Sequence, residues 1–140
     1  MKDTNNIILI VDDDPVMRDF SRLVLSNAGY QIQTAEDGLQ ALEILNGGQV
    51  DLILLDIQMP GLDGFETLKR IQQITQTPVI LFSNVDGEQS LIEGFRAGAA
   101  DYIYKPPRPK NLVARVRSVL IENGRQAEGD GWPKSLEKRS

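Results

Sequence analysis

Apolar residues alternate along the chain between runs typical of strands and spacings typical of helices. Continuous apolar runs, which indicate strands buried on both faces of a parallel sheet, occur at residues 7–11, 51–56 and 78–83. Two further strands are predicted at residues 30–35 and 102–104. Apolar residues at helical spacing follow each strand, and the predicted buried stripes include Val16, Leu23, Leu39, Ile74, Ile92 and Phe95. The pattern therefore predicts five strands, each followed by a helix.

This alternation predicts an α/β fold: a doubly wound, five-stranded parallel sheet with five flanking helices. Right-handed crossovers place helices on both faces of such a sheet. The expected strand order is 2-1-3-4-5, the flavodoxin-like arrangement. From about Asn123 the chain becomes polar and rich in glycine and charge. We therefore expect one domain over residues 1–123 and a flexible tail or linker over residues 124–140.

Composition excludes several classes of function. The net charge of −5 argues against nonspecific nucleic-acid binding, which requires a basic surface to neutralise phosphates, but it leaves room for a local basic patch. We expect no direct nucleic-acid binding by this domain. The chain has no cysteine, so disulfides and thiolate metal sites are excluded. The apolar run near the amino terminus is too short for a signal peptide or a membrane span. We expect a cytoplasmic protein without membrane association.

Polar residues suited to a phosphoryl and metal site follow the predicted strands. Ligands of open parallel sheets bind at the carboxyl ends of the strands, and these ends carry Asp12 and Asp13, Asp56, Ser83 and Lys105. Clustered carboxylates suit Mg²⁺, and a carboxylate such as Asp56 can form an acyl phosphate. Serine and lysine side chains can bind phosphoryl oxygens. The sequence therefore predicts a phosphoryl and metal site at this edge of the sheet.

The third aspartate of the "VDDDP" stretch has a simpler structural interpretation. Asp14 precedes Pro15, and proline is favoured at the first position of a helix. Aspartate is among the best helix N-cap residues, because its side chain accepts a hydrogen bond from a free backbone N–H. We predict that Asp14 caps the first helix rather than binding metal.

Four stretches together resemble the receiver domain of bacterial two-component response regulators, the CheY-like superfamily. In chain order they are "VDDDP", "LILLDIQMPGLDGFE", "VILFSN" and "AADYIYKPP", and the resemblance extends from Ile7 to about Glu122. It implies that Asp56 accepts a phosphoryl group from a sensor histidine kinase or a histidine phosphotransfer protein. The chain itself contains no histidine, which fits an acceptor.

The resemblance also implies roles for the other strand-end residues. Mg²⁺ would be held by Asp12, Asp13, Asp56 and the backbone carbonyl of Gln58. Ser83 and Lys105 would bind the phosphoryl oxygens. The Lys105-Pro106 peptide bond is expected to be cis, as is usual in the family.

A conformational switch is implied in the same way. Ser83 would move toward the phosphoryl group and Tyr102 would turn inward behind it, although the residues alone favour an ordinary edge-strand aromatic at Tyr102. The surface of helix four, strand five and helix five would then change and control an output domain or partner. Pairing through that surface makes a homodimer a further hypothesis. The expected activity is that of a signalling domain, which catalyses only its own phosphorylation and dephosphorylation.

Three residues depart from the family pattern. Asn84 stands where the family usually has alanine or glycine, Val85 cannot orient an attacking water, and Pro107 stiffens the loop after Lys105. We therefore predict a fairly long-lived acyl phosphate.

Two alternative functions share parts of this pattern. A haloacid-dehalogenase-like phosphohydrolase would use Asp12 as its nucleophile in a strand-Asp-x-Asp motif that Asp14 completes. It would also require a further strand ending in acidic metal ligands, which the pattern does not predict. A flavodoxin-like cofactor-binding module would require a loop rich in serine, threonine or glycine after the first strand, where this chain has aspartates.

Overall fold

A computed structural model of the chain describes residues 6–59, 64–84 and 88–128. Within these ranges five strands alternate with five helices. They are β1 (Ile7–Val11), α1 (Pro15–Asn27), β2 (Gln31–Ala35), α2 (Gly38–Gly47), β3 (Leu52–Asp56), α3 (Gly64–Ile74), β4 (Val79–Ser83), α4 (Glu88–Arg96), β5 (Asp101–Tyr104) and α5 (Pro109–Glu128). The strands form one parallel sheet in the order β2-β1-β3-β4-β5. The predicted fold class and strand order are therefore confirmed.

Two apolar layers cover the central strands, one on each face of the sheet. Alternate residues of β3 enter different layers, with Ile53 and Leu55 in one and Leu52 and Leu54 in the other. All five residues of β3 and of β4 are buried. This burial explains why these strands are continuous apolar runs rather than alternating ones.

The first helix begins as the sequence predicts. Asp14 has extended backbone geometry and its Oδ1 accepts a hydrogen bond from the backbone N of Val16 at 3.0 Å. Pro15 occupies the first position of the helix. The N-cap assignment of Asp14 is confirmed, because its side chain binds a backbone N–H of the first helical turn.

Six residues assigned to buried helical stripes are instead exposed. Their exposed fractions range from 74% at Val16 to 45% at Ile92, and the others are Leu23, Leu39, Ile74 and Phe95. Each helix packs on the sheet along one side only, so a broad apolar stripe contains positions that the sheet cannot cover. In α4, for example, Gly94 is the buried position among residues 91–96, and it lies against Leu81 and Tyr102.

Helix α5 continues past the predicted domain boundary at residue 123 and ends at Glu128. Residues 129–140, most of the predicted tail, lie outside the described residues. Where the domain ends stays a prediction. Among the residues that the structure describes, no helix combines the length and the apolar character needed to cross a membrane.

Candidate functional site

The sheet brings four of the predicted site residues to its carboxyl edge. Asp12 follows β1, Asp56 ends β3, Ser83 ends β4 and Lys105 follows β5. Backbone hydrogen bonds continue the ladders beyond the strands, from Asp12 N to Ala35 O at 3.1 Å and from Lys105 N to Ser83 O at 2.8 Å. The site is therefore positioned by the sheet itself.

Lys105 joins the two buried carboxylates. Its Nζ lies 3.0 Å from Asp12 Oδ2 and 3.3 Å from Asp56 Oδ2, and its side chain is only 5% exposed. The same nitrogen lies 5.3 Å from the centroid of the Phe82 ring. The lysine offsets the repulsion between two carboxylates that share a desolvated site. The Lys105-Pro106 peptide bond is cis, as expected.

Asp13 completes an acidic cluster that can hold a cation. One oxygen each of Asp12, Asp13 and Asp56 lies within 4.8 Å of the others, and Asp13 is exposed while the other two are buried. Asp12 Oδ2 contacts Lys105 but accepts no hydrogen bond from the described residues. An all-oxygen cluster with an oxygen lacking a hydrogen bond fits Mg²⁺, which binds through one or two carboxylates and waters. The role of the Gln58 backbone carbonyl as a ligand stays a prediction.

The pKa of the Asp56 carboxyl is raised from 3.8 to about 7, chiefly by burial. The backbone N–H of Gln58 and the Lys105 ammonium oppose this rise, and the negative charge of Asp12 adds to it. Asp56 is 2% exposed, so desolvation outweighs the two favourable contacts. The carboxylate that the sequence predicts as the acceptor is thus poorly hydrated and aimed at a cation.

The side chain of Gln58 contacts two other residues of the site. Its Oε1 accepts hydrogen bonds from Ser83 Oγ at 3.2 Å and from the backbone N of Asn84 at 3.0 Å. Its own backbone N donates to Asp56 Oδ1 at 2.9 Å. The family resemblance implies a role only for the backbone carbonyl of Gln58, and nothing in the sequence indicates where its exposed side chain points.

Arg18 is a second contact that the sequence analysis missed. Its guanidinium NH1 donates to the backbone carbonyl of Asp12 at 2.7 Å. Asp12 Oδ1 in turn accepts a hydrogen bond from the backbone N of Asp14 at 3.0 Å. The position of Arg18 in the sequence could have indicated this contact. Arg18 lies one helical turn after Asp14, which places its side chain near the end of β1.

Tyr102 is buried, and its ring centroid lies 5.4 Å from that of the half-exposed Tyr104. A Cβ built on Gly94 of α4 would lie 3.2 Å from Tyr102 Cδ2, so α4 packs directly against this ring. The buried position places Tyr102 between the sheet and α4. Its role as a switch stays a prediction.

Comparison with known proteins identifies the family. A family model described as "Response regulator receiver domain" matches residues 8–117. The Streptomyces coelicolor transcriptional regulatory protein AfsQ1 is 36% identical over 120 residues, which cover 86% of this chain and 53% of AfsQ1. The Escherichia coli K12 transcriptional regulatory protein CpxR is 41% identical over 115 residues, which cover 82% of this chain and 49% of CpxR. The chain therefore spans about half the length of these relatives.

A solved structure agrees with the sequence relatives. The receiver domain of the Francisella response regulator 1452 superposes with a TM-score of 0.78 at 36% identity, covering 85% of this chain and 99% of that structure. These matches decide against the phosphohydrolase and flavodoxin-like alternatives. The chain belongs to the response regulator receiver domains of two-component signalling systems.

Proposed function

We propose that the protein is a phospho-acceptor switch in which Asp56 receives a phosphoryl group from a phosphohistidine of a sensor histidine kinase or phosphotransfer protein. The observation that carries this proposal is the position of Asp56. It is a buried carboxylate at the end of β3, 3.3 Å from the Lys105 ammonium and within a cluster of three aspartates. A structural ion pair would need only one carboxylate for one lysine.

The proposed reaction moves one phosphoryl group between two proteins. An Asp56 carboxylate oxygen attacks phosphorus, and the P–N bond of the phosphohistidine breaks. The bonding electron pair stays on the imidazole nitrogen, and Asp56 becomes an acyl phosphate. Lys105 Nζ and the Ser83 hydroxyl donate to the phosphoryl oxygens, whose charge would otherwise face the two remaining aspartates.

The same cluster is proposed to hold Mg²⁺ through Asp12, Asp13, Asp56 and the backbone carbonyl of Gln58. Bound Mg²⁺ supplies positive charge that offsets the phosphoryl oxygens and the carboxylates. The donor set supports this assignment, because one lysine cannot neutralise three clustered carboxylates. The buried Asp12 Oδ2, which accepts no hydrogen bond from the described residues, would gain a metal contact beside its ion pair with Lys105.

Phosphorylation is proposed to act on the surface formed by α4, β5 and α5. Ser83 moves toward the new group, Tyr102 packs behind it, and a pre-existing equilibrium of this surface shifts. AfsQ1 and CpxR are transcriptional regulatory proteins about twice the length of the matched region. We infer that this surface controls an output domain or partner, or pairs two receivers, while the receiver itself makes no direct contact with nucleic acid.

The domain organisation and the lifetime of the phosphorylated form complete the proposal. We assign residues 1–123 to the receiver and residues 124–140 to a tail or linker. Asn84 is exposed beside the site, where we propose that its side chain restricts access of water, while Val85 lies outside the described residues. A long-lived acyl phosphate is the expected result, and rapid loss of the phosphoryl group from purified protein in Mg²⁺ buffer would refute it.

Intact mass after incubation with acetyl phosphate and Mg²⁺ tests the proposed function. Wild type is expected to gain one phosphoryl group and Asp56→Asn none, because the amide cannot form the anhydride. Asp12→Asn is expected to react more slowly, since it keeps the acceptor and loses a metal ligand. Labelling that persists in Asp56→Asn and disappears in Asp12→Asn would instead identify Asp12 as the nucleophile. No labelling of wild type would contradict the acceptor role.

A further inference from the structure

The Gln58 side chain links the loop after β3 to the end of β4. Its Oε1 accepts hydrogen bonds from the Ser83 hydroxyl at 3.2 Å and from the backbone N–H of Asn84 at 3.0 Å. The Asn84 N–H can only donate, so the acceptor facing it must be the carboxamide oxygen rather than the nitrogen. With the oxygen fixed in place, the Ser83 hydroxyl proton is directed at Gln58.

We propose that the Gln58 carboxamide is a latch that holds Ser83 in its unphosphorylated position. This inference rests on the proposed function of Asp56. A serine hydroxyl has one proton to donate, and that proton cannot serve Gln58 Oε1 and a phosphoryl oxygen at the same time. Ser83 can therefore bind the phosphoryl group only after it leaves Gln58.

The surroundings determine which parts of the latch move. Ser83 ends β4, is fully buried, and its carbonyl accepts a hydrogen bond from Lys105 N at 2.8 Å. Its backbone is therefore held by the sheet, and the hydroxyl changes partner by side-chain rotation. Gln58 is exposed, so its side chain is free to leave the site once its hydrogen bonds break. The Asn84 N–H is released in the same step, which couples the loop after β4 to the occupancy of Asp56.

The latch predicts tighter binding of a phosphoryl mimic when the carboxamide is removed. Gln58→Met keeps the length of the side chain but lacks the oxygen acceptor, and it leaves the backbone N–H to Asp56 intact. The probe is beryllium fluoride with Mg²⁺, whose affinity is measured by fluorine NMR. We expect affinity to rise about threefold to tenfold, the effect of one or two lost hydrogen bonds. Gln73→Met, the same change at an exposed position of α3, is the control and binds as wild type.

Two further readouts separate a latch from a general structural role. Amide hydrogen exchange at Asn84, measured without the probe, should be faster in Gln58→Met than in wild type and Gln73→Met. The Ser83→Ala variant lacks the hydroxyl that Gln58 holds. In this background Gln58→Met should change the affinity for the probe only slightly, because only the hydrogen bond from Asn84 N–H is then lost. Gln58→Ala, which also lacks the acceptor, repeats the test if the methionine variant does not fold.

The outcomes distinguish failure of the latch from failure of the proposed function. If wild type binds beryllium fluoride but Gln58→Met binds it with equal or lower affinity, the latch is wrong and the acceptor role stands. An equal gain in the Ser83→Ala background also overturns the latch, because the gain would not depend on the hydroxyl. If wild type neither binds the mimic nor takes a phosphoryl group from acetyl phosphate, the proposed function fails and the latch fails with it.

Discussion

The interior of strand β3 and its last residue are equally buried but chemically opposite. The four residues from Leu52 to Leu55 are apolar and fully buried, and Asp56 directly after them is 2% exposed. Burying an apolar side chain stabilises the fold by about 1.5–3 kcal/mol. Burying a carboxylate costs several kcal/mol unless partners compensate it. The same strand therefore gains stability along most of its length and loses some of it at its end.

The difference shows which part of β3 serves the fold and which serves the chemistry. A residue chosen for stability at position 56 would be apolar, as its neighbours are. The protein instead places there a poorly hydrated carboxylate beside Lys105 and Asp12. Local departures from the rules of stable folds are expected where function requires them. Stability measurements on the two regions should therefore give changes of opposite sign.

The largest expected effect is in the interior of the strand. Leu54→Ala should lower the free energy of unfolding by about 2–5 kcal/mol, because the substitution removes a fully buried side chain and leaves a cavity. Urea unfolding measures the change. Leu39→Ala, at a leucine that is mostly exposed, is the matched control and should change stability by less than about 1 kcal/mol. Similar losses in both variants would contradict the assignment of the core.

The second effect has the opposite sign and depends on pH. The folded state raises the pKa of Asp56 from 3.8 to about 7 through burial, so the unfolded chain ionises first as the pH rises. Stability contributed by the protonated carboxyl is complete below about pH 4 and is lost as the pH rises to about 7. Asp56→Asn removes this pH-dependent loss of stability, because asparagine does not ionise. Without divalent cations Asp56→Asn should be clearly more stable than wild type at pH 8, with little difference near pH 4.

Urea unfolding of both proteins at several pH values between 4 and 8 tests this dependence. A variant less stable than wild type at pH 8 would show that the contacts of Asp56 with Lys105 and Gln58 outweigh its burial. A difference that does not change with pH would show that ionisation of Asp56 is not its cause.

A smaller effect is expected where the first residue of α3 contacts Ile57, directly after β3. A Cβ on Gly64 would overlap the Cα of Ile57, and because that contact is with backbone, the chain must shift. Gly64→Ala should therefore destabilise the protein by about 1–3 kcal/mol. It should also slow labelling by acetyl phosphate, because Ile57 lies between Asp56 and Gln58. Gly47→Ala, where the added Cβ meets no atom within 4 Å, is the control for thermal unfolding and labelling rate. Normal labelling by Gly64→Ala would contradict this view of the contact.

The smallest effect is expected at an exposed ion pair, which contrasts with the buried pairs of Lys105. Arg115 NH1 lies 2.9 Å from Asp101 Oδ1, and the arginine side chain is half exposed. Solvent screens such pairs, so Arg115→Gln should change the free energy of unfolding by less than about 1 kcal/mol. A loss of several kcal/mol on urea unfolding would mean that this pair contributes far more than its exposure suggests.

The sequence predicts the strand order and most of the site for a common physical reason. Buried parallel strands are apolar, their carboxyl ends share one edge, and Asp12, Asp56, Ser83 and Lys105 occupy those ends. The contacts of the Gln58 side chain could not be predicted in this way. Gln58 and Ser83 are 25 residues apart, and their hydrogen bond depends on the path of a loop rather than on any periodic pattern.

Helix faces were predicted less well than strands, again for a physical reason. A strand buried on both sides needs only apolar residues, whereas a helix buries a stripe whose width depends on its neighbours. Val16 and Leu39 lie in the first turns of their helices and are largely exposed, although their spacing fits the apolar stripe. Composition and spacing therefore locate such a helix but do not fix which of its apolar residues are covered.

Reduction of the phosphorylated protein with borohydride tests the central claim most directly, because hydride converts an aspartyl phosphate to homoserine at the residue that carries it. The protein is treated with acetyl phosphate and Mg²⁺, reduced, and mapped by peptide mass spectrometry. We expect homoserine at position 56 and at no other aspartate. Homoserine at Asp12 or Asp13, with Asp56 unchanged, would contradict it.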